Sequence, residues 1–461
     1  MARDLWRAAR LAPWLVLAAM LAACATVPDA QEREARKQQA GRSADTGWSS
    51  YQKGRDIVAH ADADAQGAQD FHARHRAIEA AISGAPLVPG NQVRLLSDGP
   101  STYRAMLEAI DGARQYVHME TYIFEDDEEG QRFADALIAA HRRGAAVAVM
   151  IDAVGTLGTP DALFDRMRDA GVQVAVFNPV NPAEARTGWS PNQRNHRKLL
   201  VVDGKVGFLG GINVSSVYSS GSRPAKNAGE AQPWRDTHIR IAGPAVAELE
   251  RVILKGWASQ KGPPMTPREF FPRIPPQGDL TVRILANQPD RSDGYTVYLT
   301  LMSAFESAQK SIHITMAYFV PDPAFVQALQ DAARRGVDVV LVLPGFSDSS
   351  LVFHAGRSHY DGLLKAGAKI YERRDALLHA KTVVVDGVWS TVGSSNMDWR
   401  SFALNYEINA VILGPDFGAE MEALFERDVA DAEPVTLQAW QGRGADDRFM
   451  EFFSRLFERW L

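Results

Sequence analysis

Cysteine is almost absent from this 461-residue chain; there is one, Cys24. A single thiol excludes an intrachain disulfide and a cysteine-based metal site. Positive charge is not in excess either, with 50 Lys and Arg against 56 Asp and Glu and a net charge of −6. That balance argues against general nucleic-acid binding, which shows as a basic excess, and leaves room only for a local basic cleft. Beyond Cys24 no apolar run is long enough to span a bilayer. What remains is ordinary globular material, 46% apolar and 23% charged, with length for two domains.

Cys24 matters for where it stands. Arg3, Arg7 and Arg10 give a positive start, Leu11 to Ala23 is apolar apart from Pro13, and small residues lead into the thiol. Residues 1–23 therefore read as a signal peptide. Leu21-Ala22-Ala23-Cys24 resembles the bacterial lipobox, in which the cysteine is diacylated and becomes the mature N-terminus. An uncleaved anchor helix with an incidental cysteine is the alternative, and either puts the body outside the cytoplasm against a membrane. Ala25 in place of Asp points to sorting to the outer membrane, so the expected location is its periplasmic face in the bacterial envelope. Residues 24–50 are polar and suit a lipid-anchored tether.

The body is written twice. His196-x-Lys198-x4-Asp203 recurs as His379-x-Lys381-x4-Asp386, and each Asp is followed by a Gly-x-x-Asn that ends in Asn213 or Asn396. Val93-Arg94-Leu95-Leu96 recurs as Val282-Arg283-Ile284-Leu285, Tyr116-Val117-His118-Met119 as Ser311-Ile312-His313-Ile314, and Arg142-Arg143-Gly144 as Arg334-Arg335-Gly336. The halves, 51–262 and 281–461, flank a proline-rich linker at 263–280. Strands alternating with helical segments predict an α/β fold: two pseudo-twofold-related halves, each with a mixed, largely parallel sheet flanked by helices, and a site between them. Residues two apart on a strand share a face, so His196 and Lys198 point together, as do His379 and Lys381. Asp203-Gly204 and Asp386-Gly387 are hairpin-turn signals, which makes these Asp residues structural rather than substrate contacts even though they complete the motif.

These motifs resemble the two of the phospholipase D superfamily, and the similarity runs from about residue 90 to the end. Met119-Glu120-Thr121-Tyr122-Ile123, Ala317-Tyr318-Phe319-Val320-Pro321 and Asn396-Met397-Asp398-x-Arg400-Ser401 narrow it to the bacterial cardiolipin synthases. The departure is the N-terminus, where many of that family carry transmembrane helices. The resemblance implies phosphatidyl transfer without metal or other cofactor, from phosphatidylglycerol or phosphatidylethanolamine to phosphatidylglycerol, by way of a phosphohistidine. It assigns the motif residues His196, Lys198, Asp203, His379, Lys381 and Asp386 to catalysis, with His196 as nucleophile and His379 as acid and base. Lysines and asparagines would hold the phosphate oxygens. A hydrolase releasing phosphatidic acid, a nuclease and a non-catalytic lipid-binding lipoprotein are the alternatives. Oligomeric state stays open.

A nucleophilic imidazole needs an acceptor on its other nitrogen. Asp236 stands seven residues before Gly243-Pro244 and Glu407 seven before Gly414-Pro415, so the repeat offers one carboxylate per histidine. Glu120, predicted to share a strand face with His118 and Tyr122, is either a site residue or a buried acid. The loops 178–195 and 215–233 are candidates for shaping acceptor choice. Phe449, Met450, Phe452, Phe453, Leu456, Phe457, Trp460 and Leu461 form one helical stripe at the C-terminus, with two readings: contact with lipid at the bilayer interface, or docking on its own domain, which is the expectation.

Overall fold

Fifteen strands form one continuous sheet whose order reads nearly the same from either end. The computed structural model describes residues 85–181, 190, 192–220, 234–260, 262–289 and 295–458. At the centre Val88–Leu96 pairs antiparallel with Leu280–Asn287. Outward on one side follow His238–Ala242, Val206–Gly210, Leu199–Val202, Tyr116–Thr121, Ala146–Asp152 and Gln173–Phe177. Outward on the other follow Glu407–Leu413, Trp389–Gly393, Lys381–Val385, Ser311–Met316, Asp338–Pro344 and Lys369–Arg373, with Ala432–Val435 at the edge. The described residues all lie within one unit, 54–461.

The ladders confirm the repeat offsets residue by residue. Leu96 faces His238 as Leu285 faces Asn409, and His118 faces Val201 as His313 faces Val384. The sheet is mixed, as expected, but parallel pairing within it is confined to three strands of each half, Tyr116–Thr121 with Ala146–Asp152 and Gln173–Phe177, and Ser311–Met316 with Asp338–Pro344 and Lys369–Arg373, whereas everything nearer the centre, and the edge strand Ala432–Val435, is antiparallel. The expectation of largely parallel halves is corrected by the hairpins at the two motifs. Asp203 and Gly204 (φ 52° and 63°), like Asp386 and Gly387 (55° and 68°), form left-handed two-residue turns that send the chain straight back. Nor are there two sheets, because the central pair fuses them.

Strands such as Ala146–Asp152 and Glu407–Leu413 are buried along their whole length, which explains their near-continuous apolar runs. Helices cover both faces. Several start at an acid that accepts the orphan N–H groups of the first turn: Asp98 from Ser101, Asp127 from Gly130, Asp322 from Phe325. The helices Glu128–Arg142 and Pro323–Arg334 end two residues before Gly144 and Gly336, whose φ of +100° and +91° a side chain would resist.

The proline-rich stretch is not a loose tether. Phe270 packs on Tyr116 and His118, and its carbonyl accepts the Tyr116 hydroxyl at 2.9 Å. Gln277 donates its N–H to Gly90. The stretch is strapped across the first half.

Candidate active site

Each motif enters its strand from a segment pinned to the opposite half. The ladders begin only at Leu199 and Lys381, so both histidines stand just ahead of their strands rather than within them. The His196 N–H donates to the Tyr406 carbonyl at 3.0 Å, and the His379 N–H to the Arg235 carbonyl at 2.8 Å. Tyr406 and Arg235 immediately precede Glu407 and Asp236. Backbone register therefore delivers a carboxylate of one half to the imidazole of the other. Glu407 Oε1 and Oε2 lie 3.0 and 3.2 Å from His196 Nδ1, and Asp236 Oδ2 lies 2.7 Å from His379 Nδ1. There is one carboxylate per histidine, exchanged between halves.

The exchange is held from behind. Arg235, buried, donates to Asp428 through Nε at 2.8 Å and Nη2 at 2.7 Å, and Arg373 reaches the same carboxylate at 2.6 Å. On the other side Arg197 donates to the Glu407 carbonyl and to the Asn287 carbonyl, 3.3 and 3.1 Å away. The longer Glu407 takes an additional hydrogen bond from Ser394 Oγ. At the matching position the first half has Gly211, where a Cβ would stand 2.2 Å from Asp236 Oδ1.

Burial and charge set the protonation states. Burial pushes both imidazoles toward neutrality, His379 to about 4, with Lys381 adding to the push and Asp236 opposing it. Burial alone would raise Glu407 and Asp236, but the histidines and lysines beside them hold both acids below the ordinary carboxylate range. Lys198 falls to about 7 and Lys381 to about 8 because they are buried, despite nearby carboxylates. Lys381 also acts on His196, and Lys198 on His379, so the two motifs share one electrostatic site. With Nδ1 committed to a carboxylate, each neutral imidazole presents Nε2 for chemistry. The lysine ammonium groups reach back to the carbonyls of their own histidines.

The remaining predicted residues divide. The Asp203 carboxylate accepts the N–H groups of Arg114, Gln115 and Tyr116, and Asp386 those of Gln309, Lys310 and Ser311. Their acceptor capacity is spent on backbone, so the motif aspartates brace the strand ends. Asn213 accepts the Ile123 N–H at 3.1 Å and donates to the Tyr218 hydroxyl at 3.2 Å, while the buried Asn396 Oδ1 has no hydrogen-bond partner among the described residues. The two asparagines, equivalent in sequence, are thus not equivalent in use.

Glu120 lies beneath the site. It shares a face with His118, whose partner is Glu250 at 2.7 Å, and accepts from Asn195 at 3.2 Å with Arg197 3.9 Å away. Burial raises its carboxyl to about 7 even though Arg197 and Asn195 oppose that rise. The strand ends at Thr121, so Tyr122 leaves this face, contrary to the simple alternation, and meets His196 edge-on with centroids 5.0 Å apart. In the second half Thr315 and Ala380 replace Glu120 and Arg197, so this ion pair is not duplicated. Cys24, the tether and most of the loops 178–195 and 215–233 fall outside the described residues.

Sequence reading missed an aromatic lining. The Tyr218 hydroxyl oxygen is 3.3 Å from His379 Nδ1, and the rings of Trp234 and Tyr318 lie 5.1 and 6.3 Å from that imidazole. Tyr122 also lies 5.2 Å from Lys198 Nζ, a cation–π contact. Tyr122 and Tyr318 stand in the segments that carry the family resemblance and Tyr218 in the loop 215–233, but Tyr218 and Trp234 sit in a single 3-10 turn and a two-residue strand, too short for a periodicity to expose them.

Comparison with known proteins agrees with this geometry. The family profile described as cardiolipin synthase, phospholipase D-like domain, matches residues 106–221 and 301–429. A cardiolipin synthase of Geobacillus sp. (strain WCH70) is 36% identical over 378 residues, 81% of this chain and 73% of that protein. Cardiolipin synthase 1 of Bacillus anthracis is 34% identical over 386 residues, 81% of this chain and 74% of its own length. Among solved structures, phosphatidylserine synthase of Haemophilus influenzae Rd KW20 superposes with a TM-score of 0.64 at 14% identity, covering 84% of this chain and 100% of that one, a likeness of fold.

Proposed function

This chain belongs to the cardiolipin synthase family with a phospholipase D-like domain, and from that premise we propose that it joins two phospholipids into cardiolipin through a phosphohistidine, without a metal ion. It is a phospholipase D-type phosphatidyltransferase, and its substrates are phospholipids. The observation that carries the proposed mechanism is the crossed pair of imidazole–carboxylate contacts in one buried site with two lysines.

In the first step His196 Nε2 attacks phosphorus of a donor such as phosphatidylglycerol. The bond from phosphorus to the headgroup oxygen breaks, and His379 gives that oxygen a proton. Binding of the phosphodiester anion raises His379 from its depressed resting value and lets it carry that proton. In the second step His379, now neutral, takes a proton from a glycerol hydroxyl of phosphatidylglycerol, whose oxygen displaces His196 from phosphorus. Cardiolipin forms, and glycerol, or ethanolamine from a phosphatidylethanolamine donor, has departed. Glu407 and Asp236 stabilise the imidazolium forms, and Lys198 and Lys381 neutralise charge on the non-bridging oxygens. The aromatic lining of Tyr122, Tyr218, Trp234 and Tyr318 favours an alcohol over water as acceptor by narrowing access to the phosphorus. We place the work at the envelope membrane, with Cys24 as the acylated anchor on the periplasmic face of the outer membrane.

The test uses the full chain, without divalent metal, in vesicles of phosphatidylglycerol with and without phosphatidylethanolamine, and resolves lipid products by mass. Cardiolipin that disappears in the His196→Ala/His379→Ala variant supports transfer; phosphatidic acid alone makes the protein a hydrolase. Incubating His379→Ala with phosphatidylglycerol should leave a phosphatidyl group on His196. An adduct on His379 in the His196→Ala protein instead would reverse the roles.

A further inference from the structure

The C-terminal helix Ala445–Arg455 is mounted with its apolar stripe outward. Phe449, Phe452 and Leu456 are 64, 65 and 63% exposed, and Met450, Phe453 and Phe457 join them. These are six of the ten exposed large hydrophobic side chains among the described residues. At about 100° per residue the six cover one side of the helix, and the buried Glu451 and Ser454 lie opposite. The expected docking therefore occurs, but through the polar face, while Trp460 and Leu461 fall outside the described residues. Arg443 holds Glu451 through Nε at 3.0 Å, and Glu458 lies 3.0 Å from His359 Nε2. Such contacts fix the orientation, so the stripe faces out because the fold holds it there.

The helix packs on Ser350–Arg357, and that neighbour leads to the site. Gly356 sits against the Phe319 carbonyl, with no room for a Cβ, and Phe353 shares a groove with Tyr318. Tyr318 in turn faces His379. The helix that carries the stripe is thus joined to the site through Ser350–Arg357 and Tyr318. No helix among the described residues is long and apolar enough to cross a membrane. A phospholipid substrate stays in its bilayer with its phosphate at the surface, so the cleft must be brought to that surface. Phenylalanine and leucine held outward beside it are suited to enter the boundary between headgroups and acyl chains.

We propose that the stripe Phe449–Phe457 is the surface by which this protein seats on a phospholipid bilayer, with the cleft at the headgroup level. The proposal rests on the lipid-acting reading above and adds where the bilayer is met. The test compares protein that begins at Ala25, in which neither an acyl chain nor the apolar segment Leu11–Ala23 contributes, with the same protein carrying Phe449→Ser, Phe452→Ser and Phe453→Ser. Sedimentation with phosphatidylglycerol vesicles should show binding lowered at least about tenfold in the variant. Activity on those vesicles should fall in parallel, and turnover of a short-chain phosphatidylglycerol dispersed as monomers should be unchanged. Phe→Leu changes at the same three sites should keep vesicle binding, which separates lost apolar contact from misfolding. Equal vesicle binding by the Ser variant overturns the proposal. So does a wild-type dimer that the Ser changes dissociate without any vesicle binding, which would assign the stripe to a second copy. A wild-type protein that binds vesicles but turns over neither lipid form would instead defeat the proposed activity and leave the surface standing.

Discussion

His196 and Glu407 stand 211 positions apart in the chain and 3.0 Å apart in the fold. The mirror relationship joins His379 to Asp236 across 143 positions at 2.7 Å. Each acid fixes its imidazole by Nδ1, which selects the tautomer whose Nε2 lone pair can attack phosphorus or take a proton.

Glu407→Gln should therefore cost kcat about two to four orders of magnitude while the fold persists. The amide can still contact Nδ1 but cannot stabilise an imidazolium. The check is turnover on phosphatidylglycerol beside thermal unfolding; a variant within tenfold of wild type would dismiss the orienting role.

Lys198 and Lys381, depressed to about 7 and 8, predict opposite trends in activity and stability as pH rises. Loss of either proton removes charge that holds the phosphate, so kcat/KM should fall through pH 7–8. The limb in kcat should lie higher, because bound phosphate favours the protonated lysines. For folding the sign reverses. Between the folded values and the ordinary lysine value near 10.5 the unfolded chain binds more protons, so these two groups make the free protein more stable as pH climbs. Lys198→Met should raise Tm at pH 7 and lose that advantage toward pH 10, as read by thermal melts across the range.

Asp203→Asn should behave as a structural lesion. Three backbone N–H groups lose a charged acceptor, and a loss of about 2 kcal/mol in unfolding free energy is expected. The folded variant should keep kcat within about twofold, because the carboxylate is spent on backbone. Denaturant unfolding paired with kinetics separates this from a direct chemical role, for which kcat would collapse at unchanged stability.

Gly211→Ala tests the fit behind His379. The added Cβ would stand 2.2 Å from Asp236 Oδ1 and must displace it. We expect kcat lowered about a hundredfold or more, approaching the loss in Asp236→Asn itself. The counterpart change Ser394→Gly, which deletes the hydrogen bond to Glu407 and the one that Ser394 Oγ accepts from the Ile408 N–H without crowding the carboxylate, should cost about tenfold or less.

Much of this was legible in the chain because duplication makes weak signals confirm one another. The offsets between repeats, the Asp-Gly turns and the equivalence of Asp236 with Glu407 all follow from matching one half to the other. The exchange of those acids does not. A repeat shows which residues correspond, yet His196 and Glu407 meet only because Tyr406 accepts the His196 N–H, a contact with no local spacing. The C-terminal helix misled for a related reason. Its stripe was plain, but which face docks depends on Arg443 and His359, polar partners that amphipathic periodicity does not weigh. Glu120 stayed ambiguous because alternation along Tyr116–Thr121 could not reveal that Tyr122 has already left the strand.

The crossed carboxylates have a consequence for what counts as the catalytic unit. A first half severed within the proline-rich stretch would hold a histidine without its acid and an acid without its histidine, and so would the second. Neither fragment should be half as active as the whole; each should be inert, and only their reassociation should restore the single site that both histidines serve. The chain behaves as an obligate heterodimer whose partners happen to be covalently joined.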